Sequence, residues 1–471
     1  MAETKPSSVR FDRSLVEGPI STAVWKLAWP TMLQNLIGGL QGVIDHALVG
    51  HFVGYAANAA IGVSWQIALV VIVFITSLYT GMAVIVARYA GANKPEDVNR
   101  VFYQATLASF FLGLVILAPL GYVLTPWLLS VVNAAPDVQA QALPFLRIFF
   151  VGCIGMLFFF MLGGALRAAG DARTPLRLGA ALTVLNIVFN VALIAGIGPL
   201  PALGTKGSAL GTVLASLVVV AYGFWKVHKR ELVVQFPSGG LQGPDWAIIR
   251  QLFRFGLPAG LQGVVMNVGG VMLLRYIGSL PESAEAQAAY AVGYTELFSF
   301  ITWTAVGLMG AAATMTGQNL GAGRPERCAE AARHAARMGL GIAASLGACF
   351  VIVPGFLLGL FGMSDVAVVS VGVSLLRHLA ISGFFVTVAL AYTGALQGAG
   401  DTRSPLVISI VSQVAVPLGA CAVLQSLGVL STDAIWRAIV AGHVTRCVLS
   451  VLRFRQGAWR RIAVELDPAE A

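Results

Sequence analysis

The residues able to do chemistry in this sequence are few, and they interrupt long apolar runs. A charge inside a bilayer is costly, so each such group is a candidate functional group. Asp45 stands in Gly42-Val43-Ile44-Asp45-His46-Ala47-Leu48-Val49-Gly50. It reads either as a polar residue capping a helix end near the outer water, or as a carboxylate facing a cavity. In the second role it would take up a proton or a metal cation, because low dielectric makes the charged form of a lone carboxylate costly. Asn186 and Asn190 are one turn apart and share a helix face. Two amides there either join helices or line a polar pocket. Hard cations prefer oxygen ligands. Asp45, Asn186 and Asn190 are therefore the expected cation-coupling set, with Na+ at Asp45 or a proton as its ion.

Glu296 is the second acid, with Gln66 at the matching place in the other half of the chain (296 − 230). It reads as a cavity residue or as a polar group bonded to a neighbouring helix. Gln34, Asn35 and Gln41, on the Asp45 segment, join Gln66 and Glu296 as expected substrate-cavity residues. Pro30 lies fifteen residues before Asp45 (45 − 30). A proline inside a helix removes one backbone hydrogen bond and allows a kink, so Pro30 is the expected hinge. Arg147, Arg377 and Arg275 fall near the outer interface, where arginine snorkels. His46 and His443 read as satisfied core or interface histidines rather than pH sensors.

Two repeats place these residues. Gly164-Ala165-Leu166-Arg167-Ala168-Ala169-Gly170-Asp171-Ala172-Arg173-Thr174-Pro175-Leu176 recurs as Gly394-Ala395-Leu396-Gln397-Gly398-Ala399-Gly400-Asp401-Thr402-Arg403-Ser404-Pro405-Leu406, with nine identical positions and an offset of 230 (405 − 175). Gly91-Ala92-Asn93-Lys94-Pro95-Glu96 answers Gly321-Ala322-Gly323-Arg324-Pro325-Glu326 at the same offset, and Trp29-Pro30 answers Leu257-Pro258 at 228 (258 − 30). A repeat of half the chain is a duplicated domain, not a solenoid unit. Each Gly-Asp copy reads as a helical hairpin, with Thr174 and Ser404 as N-caps and Pro175 and Pro405 in first helical positions.

The chain is 57% hydrophobic and 11% charged, with a mean hydropathy of +0.82. An ordinary globular chain carries roughly 25% charged residues, so this composition is that of a polytopic membrane protein. Twelve membrane helices are expected: 24–50, 57–86, 101–130, 138–165, 175–198 and 204–226, then 249–278, 286–318, 330–361, 366–396, 405–426 and 432–453. The expected division is an N-terminal lobe at 1–235, a cytoplasmic linker at 236–248 and a C-terminal lobe at 249–471. The net charge of +9 does not indicate a nucleic-acid partner, because most of the cations lie in short loops on one side of the apolar spans, with Lys206 and Arg437 as loop exceptions on the other. The positive-inside rule puts that side and both termini in the cytoplasm, in the inner or plasma membrane. The polar first twenty residues are not a signal peptide. Two six-helix halves with this topology run parallel about an axis along the membrane normal.

No zinc-ligand spacing, phosphate-binding Gly loop or nucleophile elbow is present. Gly398-Ala399-Gly400-Asp401 matches a protease G-x-G-D string, but its twin, Ala168-Ala169-Gly170-Asp171, does not. An enzyme and an organic cofactor are not expected.

The chain resembles the multidrug and toxic compound extrusion (MATE) family. The resemblance rests on Leu27-Ala28-Trp29-Pro30, Asp45 followed by Val49-Gly50, the Gly91-Ala92 turn and Gly317-Gln318-Asn319-Leu320-Gly321-Ala322-Gly323. The two Gly-Asp-x-Arg-Ser/Thr-Pro hairpins and Leu185-Asn186-Ile187 match most strongly. It covers nearly the full chain. It implies an all-α protein of twelve helices, in two pseudo-symmetric six-helix lobes around a central cleft. It also implies export of amphipathic, often cationic, small molecules against inward protons or sodium. In that family the acid matched by Asp45 lies in an N-lobe cation site. The position matched by Asn190 is often Asp there, so this chain has one negative charge fewer. A monomer is expected, with the lipid bilayer and small-molecule substrates as its partners. The alternative is a flippase for a lipid-linked precursor, which often has extra helices and a strongly cationic cavity.

Overall fold

The computed structural model describes residues 11–132, 135–197, 201–237 and 243–464. The basic residues Lys5 and Arg10 and the linker centre, 238–242, lie outside them. Among the described residues all regular structure is helical, dominated by twelve long helices. In the first half these are α1 (Ile20–Phe52), α2 (Tyr55–Gly91), α3 (Pro95–Val131), α4 (Pro136–Ala168), α5 (Arg173–Ala195) and α6 (Thr205–His228). In the second they are α7 (Trp246–Gly278), α8 (Ser283–Gly321), α9 (Pro325–Ile352), α10 (Val366–Gly398), α11 (Arg403–Ser426) and α12 (Thr432–Arg455).

Among the described residues eleven helices are long and apolar enough to cross a membrane, and α1 is the long helix not among them. Its 33 residues span about 50 Å at 1.5 Å per residue, ample for a bilayer core of about 30 Å. Gln34, Asn35, Gln41, Asp45 and His46 dilute its apolar content, and these are the functional candidates. The expected span 330–361 is cut short: α9 stops at Ile352, where Pro354 cannot continue the helical ladder.

The hairpin chemistry also differs from expectation. α5 starts at Arg173, and Thr174 is not its cap. The Asp171 carboxylate accepts from the backbone N–H of Arg173 and of Thr174, each at 3.0 Å. Asp401 accepts from Ser404 N–H at 3.2 Å and from the Ser404 hydroxyl at 2.8 Å. A carboxylate satisfies orphan N–H groups and also favours the positive helix terminus, so aspartate takes the role assigned to the hydroxyls. Gly170 (φ +102) and Gly400 (φ +96) supply the left-handed turn between helices.

Two compact units divide the described chain. One contains Ile37–Leu257; the other contains Leu15–Leu36 with Pro258–Val464. Compactness thus follows a different line from the repeat boundary at 236–248. In the first unit α4 is the central helix, packed by α2 and α6, and α5 pairs with α6. The beginning of α7 packs there too, with Gly81 against the Leu252 carbonyl. In the second unit α10, the counterpart of α4 at an offset of 230 (366 − 136), is packed by α8, α9 and α12. The first half of α1 belongs there, with Asn35 Nδ2 donating to the Trp303 carbonyl at 3.1 Å.

Candidate functional site

α5 brings the two amides to the site because its faces are segregated. Asn186 and Asn190 are fully buried, whereas Val184 and Val188 are 60% and 54% exposed on the other side. In a bilayer that apolar side suits lipid, and the amides turn toward protein. α1 supplies Asp45, which is 8% exposed. All three expected coupling residues meet within the first unit.

Hydrogen-bond direction orders them. Thr212 on α6 donates to the Ser208 carbonyl at 3.1 Å, so its oxygen is left to accept from Asn186 Nδ2 at 2.9 Å. Asn186 then presents Oδ1 to Asn190 Nδ2 at 3.2 Å. Asn190 Nδ2 also donates to Asp45 Oδ1 at 2.8 Å. Asn190 thus donates in two directions, to the Asp45 carboxylate and back along the chain that runs through Asn186 and Thr212 to the Ser208 carbonyl. One turn earlier, Thr183 on α5 donates to Gln41 Oε1 on α1 at 2.8 Å, a second rung between the same helices. His46 Nδ1 lies 2.5 Å from Asn58 Oδ1.

Asn190 Oδ1 is buried and has no hydrogen-bond partner. It faces Gly211, where a Cβ would stand 2.1 Å from that oxygen. Glycine is required here because the amide occupies the side-chain space of position 211. The oxygens at the site come from Asp45, Asn186, Asn190, Gln41 and Thr212. That is one carboxylate among neutral oxygens, a set suited to a proton or a monovalent hard cation. Among the described residues no group of three or more His, Cys, Asp or Glu could hold a metal ion.

The other expected residues are not drawn into this network. Gln66 is exposed on α2. Glu296 is half-buried on a π-helical turn of α8, Ala291–Leu297, and makes no hydrogen bond or ion pair among the described residues. Gln34 and Asn35 are half-buried on the first half of α1, in the other compact unit, as is Pro30, which is buried in an unbroken helix. Arg147 is half-buried, its guanidinium 4.5 Å over the Tyr122 ring. His443, read as satisfied, is buried with Nδ1 lacking any partner.

Sequence reasoning missed Thr212, Ser208, Thr183 and Gly211. A signal was present for α6: Thr205, Ser208, Thr212 and Ser216 recur at helical spacing and mark one polar face. The second repeat has no such site. Leu273, Val416 and Ala420 stand where Asp45, Asn186 and Asn190 do, and Leu273 is part of the apolar core.

Twelve long helices in two related halves, with polar networks inside rather than on the surface, define a polytopic membrane protein of the transporter class. A family model described as MatE matches residues 30–192 and 258–420. The two matches are themselves 228 apart (258 − 30), the offset of the Pro30 and Pro258 repeat. The chain belongs to the MatE family and is a MATE-type secondary transporter of small molecules. It is 27% identical over 445 residues to a probable multidrug resistance protein NorM of Thermotoga maritima, covering 93% of each chain. It is 28% identical over 450 residues to a protein of the same description from Deinococcus radiodurans, covering 92% of this chain and 94% of the relative. In fold it is similar to a solved outward-facing multidrug resistance MATE family transporter of the MOP superfamily. That similarity has a TM-score of 0.88 at 21% identity, over 95% of this chain and 98% of the other.

Proposed function

We propose that the protein exports amphipathic, often cationic small molecules in exchange for inward protons or sodium, with Asp45 as the coupling group. The observation that carries this reading is the buried hydrogen-bonded chain Asp45–Asn190–Asn186–Thr212, in which Asp45 is the one acid and Asn190 holds its carboxylate while keeping a spare oxygen. The relatives described as probable multidrug resistance proteins support the direction and the class of cargo.

The charged carboxylate is held by the Asn190 N–H. Once Asp45 takes up a proton, its new O–H needs an acceptor, and the unpartnered Asn190 oxygen becomes one after rotation of the amide. Sodium would draw the same oxygen inward beside that of Asn186. Either event breaks the Asn190 to Asn186 bond and changes how α1 meets α5. A bound ion shifts a conformational equilibrium only through such a difference in interaction between states. Gln34, Asn35, Gln41, Gln66 and Glu296 are proposed to contact cargo. The protein acts as a monomer in the cytoplasmic membrane, with both termini inside and functional lobes at 1–235 and 249–471 around the linker.

The test is transport by purified protein in proteoliposomes, with proton and sodium gradients imposed separately and cationic dyes as cargo. Dye movement driven by one gradient is the expected result. Dye movement that ignores both gradients would overturn the reading.

A further inference from the structure

The second repeat buries a cation where the first has none. Arg446 on α12 is 3% exposed, yet it makes no ion pair or hydrogen bond among the described residues, and its Nε is buried without a partner. His443, one turn earlier on the same face, is 4% exposed with an unpartnered Nδ1. Facing them, α8 presents Tyr294 and Phe298, whose rings stack on His443 with centroids 6.4 Å and 5.8 Å away. Tyr294 is also the charge neighbour of Arg446. Ser382, on α10, and Ser450, the next turn of α12, are buried with hydroxyls that have no partner.

The repeat shows that this is specific to the second half. The positions 230 residues earlier are Val213 for His443, Ser216 for Arg446 and Gly152 for Ser382. In the first half those three residues line one small crevice, together with Thr212 of the Asp45 network. The second half therefore carries a guanidinium, an imidazole and a hydroxyl at the place where the first half has small neutral groups.

Burying an unpaired charge is strongly unfavourable, and buried charges in proteins are paired. Arginine does not escape by losing its proton. Among the described residues no carboxylate pairs with Arg446; Glu296, the acid on the facing helix α8, makes no ion pair there. With no described residue to neutralise it, the geometry points to a group from outside the chain, and the burial of Arg446, His443 and Ser382 limits that group to something small. The guanidinium fork suits a carboxylate, and its charge suits a halide.

We propose that Arg446, His443, Tyr294 and Ser382 form a binding site for a small monovalent anion, either chloride or the carboxylate of a transported molecule. Arg446 supplies the charge; His443, Tyr294 and Ser382 supply hydrogen bonds. The two repeats then carry sites of opposite sign, which suits net charge balance during exchange. The site does not depend on the role proposed for Asp45.

The test uses the full-length protein in nanodiscs at constant ionic strength, with gluconate as filler and either radiolabelled chloride or radiolabelled benzoate as probe. Saturable binding of either probe is expected. Chloride alone identifies a halide site, and benzoate, with or without chloride, identifies a carboxylate site. Arg446→Gln should weaken binding at least about tenfold, the loss of one charge-assisted contact. Arg446→Lys should retain part of it and Asp45→Asn all of it. If Arg446→Gln does not give monodisperse protein, His443→Phe, which keeps the ring stack and removes the donor, should weaken binding instead. No saturable binding to the wild-type protein would mean a guanidinium solvated by water alone and would overturn the proposal. Undiminished binding in Arg446→Gln, or in His443→Phe where it is used instead, would overturn it too.

Discussion

Asn190 Nδ2 lies 2.8 Å from Asp45 Oδ1 and joins α5 to α1 across 145 residues of sequence. The same nitrogen also donates to Asn186, so both N–H groups of Asn190 are committed while its oxygen is not. The amide thus senses the charge of Asp45 at one atom and holds a spare acceptor at another.

Asp45→Asn matches the neutral acid in shape and cannot cycle. Gradient-driven efflux should be abolished while the protein remains monodisperse in detergent. Glu296→Gln, which copies the residue at Gln66, should do less harm, because Glu296 is outside the network. Dye efflux from energised vesicles measures both. Wild-type efflux by Asp45→Asn, or a larger loss in Glu296→Gln, would reverse the assignment.

Gly211→Ala places a methyl 2.1 Å from the Asn190 oxygen and forces the amide or α6 to move. Overpacking of this kind costs about 1–3 kcal/mol. Coupled transport should fall with it, although no ionisable group has changed. Gly341→Ala meets nothing within 4 Å and is the control. Thermal unfolding and efflux should be near normal in the control and reduced in Gly211→Ala.

Thr212→Val removes the acceptor for Asn186 and frees that amide to rotate. The half-saturating concentration of the coupling ion should shift several-fold, whereas Thr212→Ser, which keeps the hydroxyl, should stay close to wild type. An unpaired buried amide also costs about 1–3 kcal/mol, so the valine variant should melt earlier. Equal ion dependence in all three proteins would argue that the chain beyond Asn190 is scaffolding only.

Pro30 tests the hinge. Pro30→Ala restores a backbone donor to α1 and should stiffen the helix between Leu27 and Gln34. Transport should slow, and cysteines placed along α1 should lose their ion-dependent change in labelling rate. A helix whose labelling still responds to the ion after this change has its pivot elsewhere.

The sequence by itself determined the repeat, the twelve helices and the membrane setting, and it singled out Asp45, Asn186 and Asn190, which the fold then brings into one network. Those features are periodic along one chain or rare within it. An offset of 228–230 residues, a 3.6-residue face and a lone acid in an apolar run can all be read without knowing which helices touch. Even there, local chemistry misled at the hairpins: Asp171 and Asp401 cap the following helices, because a short carboxylate reaches the N–H groups that the hydroxyls were expected to serve.

Only the tertiary structure decided the partners. Thr212 is an ordinary threonine until α6 lies against α5, and Gly211 is one glycine among 53 until an amide oxygen fills its side-chain space. His443 reads in sequence as a satisfied core histidine, and Arg446 stands only seven residues before Arg453 (453 − 446) in a basic tail. The tertiary fold buries both and leaves a ring or guanidinium nitrogen of each without a partner. The division into compact units follows the same logic, since the first halves of α1 and α7 pack where their backbones find close contact rather than where the repeat ends. Helical periodicity states which residues share a face; which two faces meet is set by shape and burial between segments far apart in sequence.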